Sequence, residues 1–323
     1  MPPQPQPLSS FLSSVPSSLL RRSARPVIAG LLVVFCASAG FANAAASANA
    51  SAEEGSLPLE GSLNEQAVES DDTHETDGSN RRSKGRWYGY WGWNRSAYAD
   101  SDIRFHGDDH DFTLYDLQAR DRQTPVTLEN IVDRYLNPAQ LTIPQYNWRI
   151  GYFIADDWSV SLGFDHMKYV MVQDQTVDMT GTIERDGFTD TDAARRDKQL
   201  TDDFLTYEHT DGFNLISVET ERYFALDDRE RFALLAGVGG GLMLPKSNVQ
   251  LMSGQRSDRW HAAGYGFTAK IGLEAIVWRG LFMRLVTKIG RAEMTDVLTS
   301  NQGDRAEQTI DFIEYVMAGG YYF

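Results

Sequence analysis

A single cysteine, Cys36, stands in 323 residues and sits near the N-terminus, so disulfide and thiol chemistry are excluded from the rest of the chain. Histidine is scarce, with six residues at positions 74, 106, 110, 166, 209 and 261, and their spacing matches no known zinc or calcium loop. After the N-terminal region there is no run of 18 or more apolar residues, which excludes a membrane-spanning helix there. Basic residues number 30 against 45 acidic ones, and that balance excludes a nucleic-acid surface, which needs basic stripes. The run Gly237-Val238-Gly239-Gly240-Gly241 lacks the Lys-Ser/Thr that a phosphate loop requires. Mean hydropathy is -0.39, the value of an ordinary globule. That average is uninformative if apolar and polar residues alternate along strands.

What is present falls into three parts. Arg21, Arg22 and Arg25 precede a short apolar core, Val27 to Phe35, and the small-x-small sequence Ala42-Asn43-Ala44. Residues 1–44 therefore read as a signal peptide cut near Ala45, and Cys36 would leave with it. Without the three arginines of that segment, 27 basic residues face 45 acidic ones, a net of -18. Residues 45–86 are rich in Ser, Ala, Glu and Asp and repeat Glu-Gly-Ser-Leu. They hold too little apolar surface to offset their ordering entropy and are expected to form a disordered acidic periplasmic tether. Residues 87–323 are the expected folded domain, which begins in the aromatic run Trp87-Tyr88-Gly89-Tyr90-Trp91-Gly92-Trp93.

From Trp87 onward the period is two, the signature of strands. Tyr265, Phe267, Ala269, Ile271, Leu273, Ala275 and Val277 share one face, opposite Gly264, Gly266, Thr268, Lys270, Gly272 and Glu274. Leu281, Met283, Leu285 and Ile289 likewise oppose Arg284 and Lys288. A uniformly apolar face set against a charged one suits hydrocarbon outside and a polar lumen inside. Tight connections at 156–157, 227–231 and 279–280 alternate with long stretches at 173–211, 246–260 and 297–307. Short periplasmic turns and long exterior loops alternate in this way in outer-membrane barrels. The expected fold is all-β, a transmembrane antiparallel up-and-down β-barrel of eight strands, near 87–98, 144–155, 158–172, 212–225, 231–245, 261–278, 281–296 and 308–323. Residues 99–143 are expected to form an exterior loop, with a hairpin extension and a short helix at 127–136. Ten strands is the alternative, if Asp111 to Ala119 crosses as well.

Parity places nine ionic side chains inside: Arg149, Lys270, Arg284 and Lys288 with Asp165, Glu219, Glu221, Glu274 and Glu314. An eight-stranded lumen only just holds its own side chains. These groups are therefore expected to pair and close it, because an unpaired charge there costs several kcal/mol. Gly237, Gly239 and Gly241 share the inner face and leave room for them. The final strand carries Tyr315, Met317, Tyr321 and Phe323 on its apolar face, a pattern that resembles the signal read by the barrel assembly machinery. Candidate metal ligands or acid–base groups at the exterior rim are His106, Asp108, Asp109, His110, Asp111, His209 and Asp211, with a solvated polar loop as the plainer expectation. Ser217 points inward, and Ser159 and Ser161 lie near a tight turn. No serine is placed beside an outer-rim histidine, no catalytic set is identified, and no cofactor is expected.

Residues 87–323 resemble the small OmpA/OmpX-like outer-membrane barrels in architecture. Tyr90-Trp91-Gly92-Trp93-Asn94-Arg95, Phe105-His106-Gly107-Asp108-Asp109, Arg149-Ile150-Gly151-Tyr152-Phe153 and Asp165-His166-Met167-Lys168-Tyr169 resemble a family of bacterial outer-membrane proteins without an assigned activity. The resemblance implies fold and location, in the bacterial outer membrane, and carries over no functional residue. It also leads us to expect no peptidoglycan-binding domain after Phe323. The expected partners are outer-membrane lipid, lipopolysaccharide and, during biogenesis, the assembly machinery. The expected role is structural or surface-interacting, through acidic exterior loops at 99–143 and 173–211. A lipid A-modifying enzyme and a narrow ion or solute channel are the alternatives.

Overall fold

The computed structural model of the chain describes residues 81–323, apart from 138, 141, 142 and 186. The expected signal peptide, its cleavage site and nearly all of the expected tether lie outside the described residues. Fifteen strands join in one antiparallel sheet. Eight of them pair in a ring: β1 (Trp87–Tyr98), β5 (Tyr146–Ala155), β6 (Trp158–Met171), β9 (Leu205–Ala225), β10 (Phe232–Met243), β13 (Gly264–Trp278), β14 (Leu281–Leu298) and β15 (Arg305–Tyr322). Each pairs with the next, and β1 pairs with both β5 and β15, which closes the ring.

The remaining strands stand at the end of the ring that carries the long connections. There β2 (Ser101–Gly107) pairs with β15 and β3 (His110–Leu117), and the row continues through β7 (Thr176–Ile183) to β8 (Arg196–Gln199). On the other side β9 pairs with β11 (Lys246–Leu251) and β11 with β12 (Ser257–Trp260), while the two-residue β4 (Ala119–Arg120) pairs with β6. Asp111 to Ala119 therefore lies in this upper row rather than in the ring. Among the described residues one helical stretch spans 128–135, α1 (Leu128–Asn130) followed by one π turn, with the Thr127 hydroxyl accepting from the Asn130 amide.

The opposite end is closed by tight turns whose residues adopt the required backbone. Asp157 and Arg279 hold φ of +55° and +49° at the β5–β6 and β13–β14 turns. Asp tolerates that region because its short polar side chain can bond locally. At the β9–β10 turn the Asp227 carboxylate accepts the Phe232 amide at 2.8 Å.

Strand length divides the ring into two storeys. A tilted transmembrane strand needs about 9–11 residues, yet β14 and β15 each have 18 and β9 has 21. On β14 the outer side chains Leu281, Met283, Leu285 and Ile289 are 41–51% exposed, and the next outward residue is Arg291, which clasps Asp311 of β15 in a two-bonded pair. Apolar exposure continues around the ring through Ile150, Leu162, Val218, Val238, Phe267, Ile271 and Met317. Beyond this belt the strands run on with charged outer faces.

The stretch 173–211 was expected to be a polar loop, and here the structure differs. Val177, Met179, Ile183, Leu200, Phe204, Leu205 and Tyr207 are buried in a core shared with Ile103, Phe105, Phe112 and Leu114 of the β2–β3 hairpin. Short strands with one apolar face can leave water only by facing each other. The long connections thus fold into a dome with an apolar interior. The second correction concerns the tether. Arg82, placed in it by composition, is 3% exposed and anchored to the ring.

Candidate functional site

The lumen of the lower storey holds every charged side chain, histidine apart, that is buried among the described residues. All nine groups expected there by parity are present: Arg149, Asp165, Glu219, Glu221, Lys270, Glu274, Arg284, Lys288 and Glu314, each 6% exposed or less. Alternation explains the placement: Lys270 lies between the outward Ala269 and Ile271, Glu274 between Leu273 and Ala275, and Arg284 between Met283 and Leu285. A tenth group was missed. Arg82 enters from the tight-turn end and donates to Glu274 Oε1 at 3.0 and 3.1 Å and to the Glu230 carbonyl at 3.2 Å. Five cations then face five anions, and the buried set is formally neutral.

The pairs form one connected chain. Lys288 reaches Asp165 at 2.6 Å, Glu219 at 3.2 Å and Glu314 at 3.4 Å. Arg149 bridges Glu219 at 2.9 Å and Asp165 at 3.3 Å. Lys270 contacts both Glu219 and Glu221, and Arg284 links Glu221 at 3.3 Å to Glu274 at 2.6 Å. Neutral donors serve further lone pairs: Asn147 Nδ2 to Asp165 and Glu314 at 2.6 and 2.8 Å, Tyr88 to Glu221 at 3.0 Å, and Tyr322 to Glu274 at 2.5 Å, while Glu314 Oε2 meets only the Lys288 ammonium at 3.4 Å. Such satisfaction is what allows a buried ionic cluster to persist against its desolvation cost.

Room for these long side chains comes from glycine. A Cβ on Gly163 would stand 2.6 Å from the Arg149 guanidinium carbon, and one on Gly239 would strike the Glu219 side chain. Gly237 faces Lys270 and Glu221 in the same manner, while a Cβ on Gly241 would meet the backbone of Ile216 and Ser217 instead.

Aromatic and apolar layers bracket the ionic layer. Towards the tight turns Tyr88, Phe153, Tyr223, Phe282 and Tyr322 pack edge-on or tilted at 4.7–6.4 Å between centroids. The Arg284 guanidinium lies 4.6 Å over Phe282 and 4.7 Å over Tyr88. Above the ions, Phe213, Phe312, Met167 and Leu215 begin the dome core.

The exterior candidates are not brought together, and no group of three or more His, Cys, Asp or Glu able to hold a metal occurs among the described residues. His106 stands 3.6 Å from Glu307. His110 bonds Asp109 at 2.7 Å, and Arg185 clamps Asp109 with bonds of 2.6 and 2.8 Å that, more than any other influence, hold its carboxyl down at about 2. Asp111 is held by Arg104 at 2.8 Å and Asp211 by Lys246 at 2.7 Å. Asp108 lines a surface cleft with Arg185 and Asp304. His209 departs most from the expectation of a solvated loop. It is fully buried in the dome between Tyr169, Tyr207 and Phe213, and neither ring nitrogen has a hydrogen-bond partner. It lies well beyond Ile216 and Val218, where the apolar belt ends on β9, and desolvation pushes its pKa down to about 3. His166 bonds Asn214 at 2.7 Å and stacks on Tyr146. Ser217 faces the lumen beside Arg149.

Tyr315, Met317, Tyr321 and Phe323 all alternate with buried inward residues, and Met317, Tyr321 and Phe323 are 44–64% exposed on the outer wall. A closed antiparallel ring with an apolar belt, an ionic interior, tight turns at one end and long connections at the other defines the class. The protein is a β-barrel of the outer-membrane type, and the dome stands at the end that carries the long connections.

No protein-family profile and no curated protein sequence matches the chain. Among solved structures it is similar to the outer membrane protein OprG from Pseudomonas aeruginosa, at 11% identity and a TM-score of 0.38, covering 75% of this chain and 98% of that one. It is also similar to the outer membrane protein AlkL, at 11% identity and 0.33, covering 84% and 97%. The Escherichia coli outer membrane protease OmpT aligns at 8% identity and 0.37, covering 74% and 97%. The assignment of class rests on the pairing and outer surface of this chain.

Proposed function

We propose that the protein is a sealed outer-membrane barrel that serves as a rigid base for its exterior dome, with a structural or surface-interacting role. One observation carries the reading: five cations and five anions fill the lumen as a neutral, hydrogen-bonded chain between two aromatic and apolar layers. A conducting lumen needs a hydrated path, and this one is occupied by its own side chains. The dome supplies the interacting surface, where Asp192, Asp197, Asp202 and Asp203 project from the stretch after β7. A rigid scaffold that positions variable surface segments is the usual arrangement for recognition.

Planar-bilayer recording tests the seal. The purified protein is expected to give no steady conductance steps at neutral pH, and steady open channels would overturn the reading in favour of a narrow channel. Incubation with lipopolysaccharide followed by mass spectrometry is expected to leave lipid A unchanged. Any enzyme-dependent mass change would replace this reading with a lipid A-modifying one.

A further inference from the structure

The chain between β4 and β5 does not enter the dome; it folds back onto the outside of the barrel wall. Trp93 and Arg95 point outward on β1, alternating with the buried Asn94 and Ser96. The Tyr135 ring packs edge-on against Trp93 at 5.8 Å, and Arg95 donates to the Thr124 carbonyl at 2.6 Å. Asp121 accepts the Ser96 amide at 3.1 Å, and Lys168 reaches the Ile143 carbonyl at 2.9 Å. The segment is therefore strapped to the wall at both ends. Its height follows from the ladder, in which Trp93 lies opposite Met317 and Arg95 opposite Tyr315, both outward residues of the apolar belt.

The outer surface of this strap is apolar. Val126, Leu128, Val132, Leu136 and Ile143 are 40–86% exposed, with Leu128 the most exposed of them. Leu128, Val132 and Leu136 recur every four residues and form one stripe, while Glu129 and Asp133 form the stripe beside it. An amphipathic turn of this kind, facing water, would leave a contiguous apolar patch in the least favourable solvent. It is continuous with a surface that already meets hydrocarbon.

We propose that the strap is a lipid-embedded element, with the stripe of Leu128, Val132 and Leu136 set among the acyl chains of the outer leaflet and the acidic stripe turned toward the headgroups. Arg134 is the one cation within these helical turns and is half-exposed beside the stripe, so headgroup attraction adds to apolar burial there. The barrel then presents a wider hydrophobic perimeter on the β1–β5 side than elsewhere. This inference rests on the membrane-spanning reading of the ring.

Nitroxide labelling of the full chain in lipid vesicles containing lipopolysaccharide tests it. In a Cys36→Ser background, labels at Leu128→Cys and Val132→Cys are compared with Val218→Cys on the belt and Asp192→Cys on the dome. Collision with oxygen reports hydrocarbon, and collision with a nickel chelate reports water. The strap labels are expected to match Val218→Cys, with high oxygen and low nickel collision. Nickel collision equal to that at Asp192→Cys would overturn the proposal, and so would low collision with both reagents, which marks a protein partner. If the Val218→Cys label itself proves aqueous, the spanning reading fails first and the strap proposal falls with it.

Discussion

The lower and upper storeys of this protein are built from the same strands yet have opposite interiors. Inside the belt, β14 turns Arg284 and Lys288 inward and Leu285 and Ile289 outward. A few residues further on, the same strand turns Ala292 and Met294 inward and Arg291 and Glu293 outward. On β15 the inward series passes from Glu314 to Phe312 and Ile310, while the outward one passes from Met317 and Tyr315 to Asp311 and Thr309. Over 281–294 the pleat does not change; the solvent does. Hydrocarbon rewards apolar groups outside and confines ions within, and water rewards the reverse. A single alternating pattern therefore encodes two storeys of opposite polarity, and the crossover near Ile289 and Arg291 is the upper edge of the apolar belt.

The comparison can be broken most severely from the lumen. Lys288→Met leaves Asp165, Glu219 and Glu314 short of a cation and should cost about 3–5 kcal/mol of barrel stability, the usual penalty for orphaning a buried partner. Thermal unfolding in detergent micelles would register it as a large fall in the midpoint. Outside the lumen, position along one strand should decide the outcome. Leu285→Arg on the belt is expected to cost about 2–4 kcal/mol, whereas Glu293→Arg, on the same face above the boundary, should be near neutral. Folding titrations into lipid vesicles compare the two, and equal costs would erase the distinction between storeys.

The dome offers a third test through His209. Its folded pKa is pushed down to about 3 by burial, against about 6.5 in the unfolded chain. The unfolded state thus takes up a proton that the folded state refuses, and dome stability falls as pH drops from about 6.5 toward 3. By pH 5 the loss is about 2 kcal/mol. His209→Phe should remove that acid sensitivity and relieve two unpartnered nitrogens, measured as slower hydrogen exchange across 205–213 at pH 5 than in the parent. Smallest of all should be Arg291→Ala, since its exposed pair with Asp311 is screened by water, and the thermal unfolding midpoint should barely move.

Much of this was legible in the sequence, because strand parity is a local property. The ring strands lie close to the ranges read from alternation, and the nine lumen charges follow from the same parity. The dome was missed for a physical reason. Val177, Met179 and Ile183 alternate over only one short strand, embedded in an acid-rich stretch whose composition reads as solvated loop. Glu208-His209-Thr210-Asp211 looked polar as a cluster, although His209 shares its face with Tyr207 and Leu205, both buried. Arg82 had no periodicity around it at all. Its role depends on the acidic mouth it fills, a long-range pairing of 192 residues to Glu274.

The central claim, that polarity exchanges between inside and outside along uninterrupted strands, is tested most directly by a cysteine scan of β14. Single cysteines at each position from 281 to 294, in a Cys36→Ser background, would be exposed to a membrane-impermeant maleimide in reconstituted vesicles. The account predicts that outward positions 283, 285, 287 and 289 resist labelling, that 291 and 293 react readily, and that inward positions resist throughout. Rapid labelling of 285 and 289, or equal reactivity of 289 and 291, would contradict it.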